Sequence, residues 1–144
     1  MRAIADTVTS TLLENGNRHW SYRFTSFSDG TGETGVAKVD GSSSGPLGVV
    51  IAGQTFYPGV HIKVTEIRFQ VTDMSLRIQW DATSAADLVT LSPGADTLDF
   101  TRVGGVFIPV GLTGATGKIL FTTVGQQISS SYMVVMYGTK GIQQ

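Results

Sequence analysis

Apolar and polar residues alternate at a spacing of two through much of this chain, most sharply where Trp20, Tyr22 and Phe24 interleave with Ser21, Arg23 and Thr25. Successive side chains on a strand point to opposite faces, so this pattern predicts a half-buried strand with an aromatic inner face. Ile62 and Val64 mark one face of the next long strand, and Ile67, Phe69 and Val71 continue it out of phase by one residue. That slip predicts a bulge near Thr65-Glu66. Met74, Leu76, Ile78 and Trp80 alternate with Ser75, Arg77, Gln79 and Asp81, and with Thr72-Asp73 as a tight connection the two runs are expected to pair antiparallel. Shorter strands are expected at 36–40, 88–91, 97–102, 118–124 and 132–140, with Ser92-Pro93-Gly94 as a turn.

Three segments break the pattern. In residues 1–16, Ile4, Val8 and Leu12 fit a helix face, whereas Asn15-Gly16 signals a hairpin turn. We treat this segment as an N-terminal arm ahead of one domain over 17–144. Residues 41–60 form a long excursion, starting Gly-Ser-Ser-Ser-Gly-Pro and carrying a short strand at Val49, Val50 and Ile51 before Phe56-Tyr57-Pro58-Gly59. A stretch of this length inside a compact domain is more often functional or flexible than decorative, and its apolar residues need cover, either from its own core or from a partner. Gly104-Gly105 and residues 111–117 bracket a loop whose Val106, Phe107 and Ile108 are expected under the rim of the sheets. About eight short strands, with no ten-residue helical pattern after the arm, predict an all-β fold: an antiparallel β-sandwich of the jelly-roll type.

Composition sharpens this. Eighteen glycines and only four prolines among 144 residues suit many tight turns. The absence of cysteine excludes disulfides, thiolate nucleophiles, thiolate zinc sites and iron-sulfur clusters. Ten basic and eleven acidic residues give a net charge of -1, and no Lys/Arg run stands out along the chain, so direct nucleic-acid binding is not expected. No membrane partner is expected either: the longest apolar run, Val49 to Ala52, is far short of the about 20 residues of a spanning helix. Arg2 is not followed by the apolar stretch of a secretion signal, which suits an unprocessed chain. Charged residues make up 15% of the chain where about 25% is usual. Surfaces so weakly ionised repel their neighbours little, which favours assembly.

The candidate chemistry is thin. Gly30-Thr31-Gly32-Glu33-Thr34-Gly35 matches G-x-G-x-x-G, yet a strand pattern follows it instead of the helix whose N-terminus would hold a pyrophosphate, so it reads as a turn. His19 and His61 each begin a strand among aromatics, and a metal site would need carboxylates from distant loops. Asp73, Asp81, Asp87, Asp96 and Asp99 gather in the middle third, where paired acids could serve glycoside hydrolysis, but their turn and strand-end positions suit hydrogen bonding to backbone amides. No nucleophile elbow, zinc-protease helix or P-loop occurs. No catalytic residue, cofactor or metal is therefore expected. Trp20, Tyr22, Tyr57 and Trp80 could line a sugar groove, although the two Trp and Tyr22 alternate like core.

Taken in order, Tyr22-Arg23-Phe24-Thr25, Ser28-Asp29-Gly30-Thr31-Gly32-Glu33, Lys38-Val39-Asp40, Met74-Ser75-Leu76-Arg77-Ile78-Gln79-Trp80-Asp81-Ala82, Leu98-Asp99-Phe100 and Gly117-Lys118-Ile119-Leu120-Phe121-Thr122-Thr123-Val124-Gly125 carry a resemblance. Over residues 18–40 and 62–140 the chain resembles the small virion structural proteins of tailed DNA bacteriophages, including jelly-roll capsid cement (decoration) proteins. The 41–60 excursion is longer and the 106–116 loop more apolar than that pattern. The resemblance implies a place on the outer capsid surface of a virion, with the major capsid protein as partner, bridging neighbouring subunits without catalysis. Modest contacts repeated over a closed shell would supply avidity. The expected capsid or self-association contacts are Ile4, Val8, Leu12 and Leu13 of the arm and Val49, Val50, Ile51, Phe56 and Tyr57 of the excursion. A homodimer is favoured, with a trimer second, because two-fold closure is commonest. A neck or tail protein, a host-glycan-binding module and a hydrolase without a signature are the alternatives.

Overall fold

Alternation is cashed out as strand: in the computed structural model, which describes residues 7–16, 18–29, 32–109 and 111–141, 62% of those residues are strand and none is α-helix. The strands are β1 (Thr7–Asn15), β2 (His19–Asp29), β3 (Val36–Asp40), β4 (Val49–Ile51), β5 (Gln54–Phe56), β6 (Ile62–Thr72), β7 (Ser75–Trp80), β8 (Ala86–Leu91), β9 (Gly94–Asp99), β10 (Val106–Phe107), β11 (Lys118–Val124) and β12 (Ile128–Lys140). All pairing is antiparallel. A six-stranded sheet runs β1-β2-β12-β6, with β9 and β10 sharing the far side of β6, and a four-stranded sheet runs β3-β11-β7-β8. β4 and β5 form a separate hairpin.

The two sheets enclose one hydrophobic core. Trp20, Phe24, Ile62, Ile67, Val134 and Met136 from the larger sheet meet Leu76, Ile78, Trp80, Ile119 and Phe121 from the smaller, all at most 1% exposed. An aromatic chain crosses between the sheets: Tyr22 stacks on Phe24 at 5.2 Å between centroids, Phe24 meets Phe121 edge-on at 5.0 Å, and Phe121 meets Tyr132 at 5.9 Å. Each such pair adds about 0.5–1.5 kcal/mol beyond its burial. These contacts hold the sheets in register.

The expected bulge is present. Tyr137 pairs with Glu66 but Gly138 pairs with Val64, leaving Thr65 as the extra residue. Its hydroxyl donates to the Tyr137 carbonyl at 3.2 Å and its own carbonyl accepts the Phe100 amide at 2.8 Å. The bulge marks where β6 changes partner, from β9 opposite Glu66 to Val71 to β10 opposite Lys63 and Val64.

Other expectations change. β6 and β7 do not pair: they belong to opposite sheets, and Asp73, at φ 58, turns the chain across the core. The corner is pinned by Ser130, fully buried, whose hydroxyl donates to the Asp73 carbonyl at 3.0 Å. The strand expected over 97–102 starts at Gly94 and stops at Asp99, because the Asp99 carboxylate accepts the Thr101 amide and hydroxyl and starts a 3-10 turn over Thr101–Val103. In the expected arm, residues 7–15 form an edge strand of the larger sheet. Of the loop residues expected under the rim, Ile108 is buried, Val106 is half-buried and Phe107 is 57% exposed.

Candidate adhesive end of the molecule

The excursion is docked to the body instead of projecting freely. Asp40 ties its first turn: one carboxylate oxygen accepts the Ser42 amide at 2.9 Å and the Ser42 hydroxyl, and the other accepts the Ser44 hydroxyl at 3.0 Å. Burial opposes the charged carboxylate, yet these hydrogen bonds and nearby Lys118 together hold it below the ordinary carboxylate range. Backbone bonds from Gly41 to Gly117 and from Gly59 to Gly41 close the base. Gly117 has φ +85 and a Cβ there would lie 2.1 Å from the Gly59 carbonyl oxygen, so only glycine permits this approach. Leu47 and Val49, at most 3% exposed, root the β4–β5 hairpin in the interior.

The hairpin turns through Ala52 at φ 52 and Gly53 at φ 80, the paired positive φ values that match the twist of two antiparallel strands. It leaves Val50 65% exposed and Ile51 40% exposed. Tyr57 and Val60 are also exposed. A cleft of about 660 Å³ is lined by Val60, His61, Phe107, Ile108, Leu112 and Ala115 among others. Lys63 places its ammonium 5.2 Å from the centroid of the exposed Phe107 ring. Lys63 also lines a second pocket, of about 570 Å³, with Arg18, His19, Lys140, Val49 and Ile51. One end of the molecule thus joins aliphatic, aromatic and cationic surface on a stiff base.

The nine expected contact residues divide. Ile4 lies outside the described residues. Val50, Ile51 and Tyr57 are each exposed on the excursion, while Phe56 is half-buried opposite Val49. Val49 is itself core, because it faces inward beneath the hairpin, and is therefore unavailable as an adhesive contact. On β1, Leu12 packs against the core, Val8 is 36% exposed at the sheet edge, and Leu13 is 50% exposed where a register shift between Leu12 and Glu14 leaves it extra. Asn15 ties the end of β1 to the excursion: its side-chain amide Nδ2 donates a hydrogen bond to the Pro46 carbonyl at 2.9 Å.

Val60 and Phe107 were not legible as surface, since each stands in a Gly/Pro-punctuated loop without alternation. The cationic pocket also escapes a linear reading: Arg18, Lys63 and Lys140 are isolated along the chain and meet because the starts of β2 and β6 and the end of β12 lie side by side. Phe27, Val124 and Ile128 are also exposed.

The remaining candidates are absorbed by structure. Trp20, Tyr22 and Trp80 are buried in the core, leaving Tyr57 as the exposed member of the four aromatics considered for a sugar groove. Glu33, from the glycine-rich turn, reaches inward: its carboxylate pairs with Lys38 at 2.5 Å and accepts the Tyr132 hydroxyl. Asp87 accepts hydrogen bonds from Arg77 and Gln79, which hold it below the ordinary range. Asp81 accepts the Thr116 hydroxyl and Asp96 the Thr97 amide. Among the described residues, no three His, Asp or Glu side chains converge as a metal-ligand set. No family model, curated protein or solved structure matches the chain.

Proposed function

We propose that this chain is a capsid cement protein of a tailed bacteriophage, which binds the outer capsid surface and bridges major capsid subunits without catalysis. The observation that carries the reading is the exposed apolar end: Val50, Ile51, Tyr57, Val60 and Phe107 on a docked, hydrogen-bonded base. Exposed apolar groups rimmed by polar residues mark interaction surfaces. The interleaved strand orders β2-β12-β6-β9 and β3-β11-β7-β8 support the jelly-roll sandwich that the resemblance implies. In that reading β1, the β4–β5 hairpin and β10 are additions to an eight-strand body. The edge of β1, which has no second partner strand among the described residues, supports self-association as a homodimer, since β1 carries no Lys or Pro to block pairing.

The test is a Val50→Asp/Ile51→Asp variant compared with the unmodified chain on purified particles. Both side chains are solvent-exposed, so thermal unfolding should stay within about 3 °C of the parent. Occupancy should fall at least about tenfold, corresponding to the loss of roughly 1.4 kcal/mol or more of contact energy. Full occupancy by the folded variant would remove the hairpin from the account.

A further inference from the structure

The pocket at the end of the larger sheet gathers three of the chain's ten Lys and Arg residues, Arg18, Lys63 and Lys140, beside His19. Among the described residues no carboxylate pairs with any of the three: the ion pairs are Lys38–Glu33, Arg68–Glu66 and Arg77–Asp87. Glu14 and Glu66 line a separate cleft that shares His19 with this pocket. Lys140 is only 8% exposed, and its ammonium donates to a neutral acceptor, Asn15 Oδ1. Burial lowers its affinity for a proton. Gathering cations with no counter-charge among the described residues, beside a low-dielectric wall, is unfavourable, and the same wall strengthens attraction for an anion that enters.

We propose that this pocket receives a carboxylate side chain of a partner protein, an Asp or Glu flanked by an aliphatic residue that packs on the exposed Ile51. The aliphatic wall selects this ligand over inorganic phosphate, which has nothing to place there. A net charge of -1 supplies no long-range attraction for a polyanion, which favours a single acidic group over a nucleic acid. Arg18 offers a forked donor for two-point recognition of the carboxylate, and Lys63 and Lys140 add charge from the flanks. The inference rests on the adhesive reading of the same end and names the chemistry of the surface it grips.

The experiment titrates the full isotope-labelled chain with acetyl-Leu-Glu-Val-amide, its Gln counterpart and inorganic phosphate, following the amides of Arg18, His19, Lys63, Thr139 and Lys140. Saturable shifts are expected with the Glu peptide, weakened at least about tenfold by the Gln counterpart and by an Arg18→Gln/Lys63→Gln variant. Lys140 is left intact because its burial would confound folding. Absence of saturation at millimolar peptide, equal binding of the Gln peptide, or phosphate binding as tightly as the Glu peptide would each overturn the proposal. In parallel, particle occupancy of the parent and the Arg18→Gln/Lys63→Gln variant is compared at low and high salt. A parent that never decorates particles refutes the cement reading and leaves the titration to decide the pocket. A parent and variant that decorate equally, with the same salt dependence, refute the pocket's role alone.

Discussion

Replacing Glu33 by Gln should be among the most damaging single changes in this protein, although Glu33 belongs to a turn. Its carboxylate lies 2.5 Å from the Lys38 ammonium, with the two side chains 8% and 5% exposed, and it also accepts the Tyr132 hydroxyl. The backbone there is fixed independently, since the Glu33 amide donates to Thr123 Oγ1 at 2.9 Å and its carbonyl accepts the Thr123 amide at 2.9 Å. The neutral amide therefore stays in place and leaves an ammonium buried without its counter-charge. Breaking one side of a buried pair costs about 3–5 kcal/mol, a shift in Tm of roughly 10–20 °C for a chain of this size. Lys38→Met should cost less, because the Glu33 carboxylate keeps the Tyr132 hydroxyl as a donor. The double variant should fall short of the sum of the singles by about 2–3 kcal/mol. Urea unfolding of the four proteins at neutral pH supplies the cycle. A Glu33→Gln loss below about 0.5 kcal/mol, or strict additivity, would refute the claim that the pair is desolvated.

Two further predictions concern the body. Gly138→Ala places a Cβ 2.2 Å from Trp20 Cζ2 and 2.3 Å from the Lys63 carbonyl oxygen, so we expect a loss of about 3 kcal/mol or more in urea unfolding; an unchanged midpoint would contradict the close packing of β12 on β2 and β6. Asp40 is held below its ordinary range in the folded chain, so its contribution is present above the unfolded carboxylate value and disappears as pH falls through the folded one. Stability should therefore decline below about pH 4, and Asp40→Asn should flatten that part of the profile; identical profiles for the two proteins would exclude Asp40 as a source.

The strands were legible wherever one face is buried, because burial imposes a period of two. Trp20 to Phe24, Met74 to Trp80 and the Thr65 bulge follow directly from that constraint. Pairing was not legible in the same way. The Thr72-Asp73 connection suits a hairpin and a sheet-crossing corner equally, and the choice was made by partners far along the chain, β12 for β6 and β11 for β7. β1 was ambiguous because Val8 and Leu12 are spaced for a helix turn as well as for a strand edge. At the hairpin end, Val50 and Ile51 could be picked out as apolar residues in a polar excursion, but Val49 could not be told apart from them until the hairpin showed which face is inward. The cationic pocket depends wholly on strand order, since charges separated by dozens of residues carry no local pattern.

Imaging purified particles with this chain located in the density tests the account most directly. Cement predicts regularly spaced copies on the outer shell, with the β4–β5 hairpin end turned toward the major capsid protein and shells that break more readily when the chain is absent. Particles on which the chain has no ordered position, or on which that end faces solvent with nothing against it, would contradict the account.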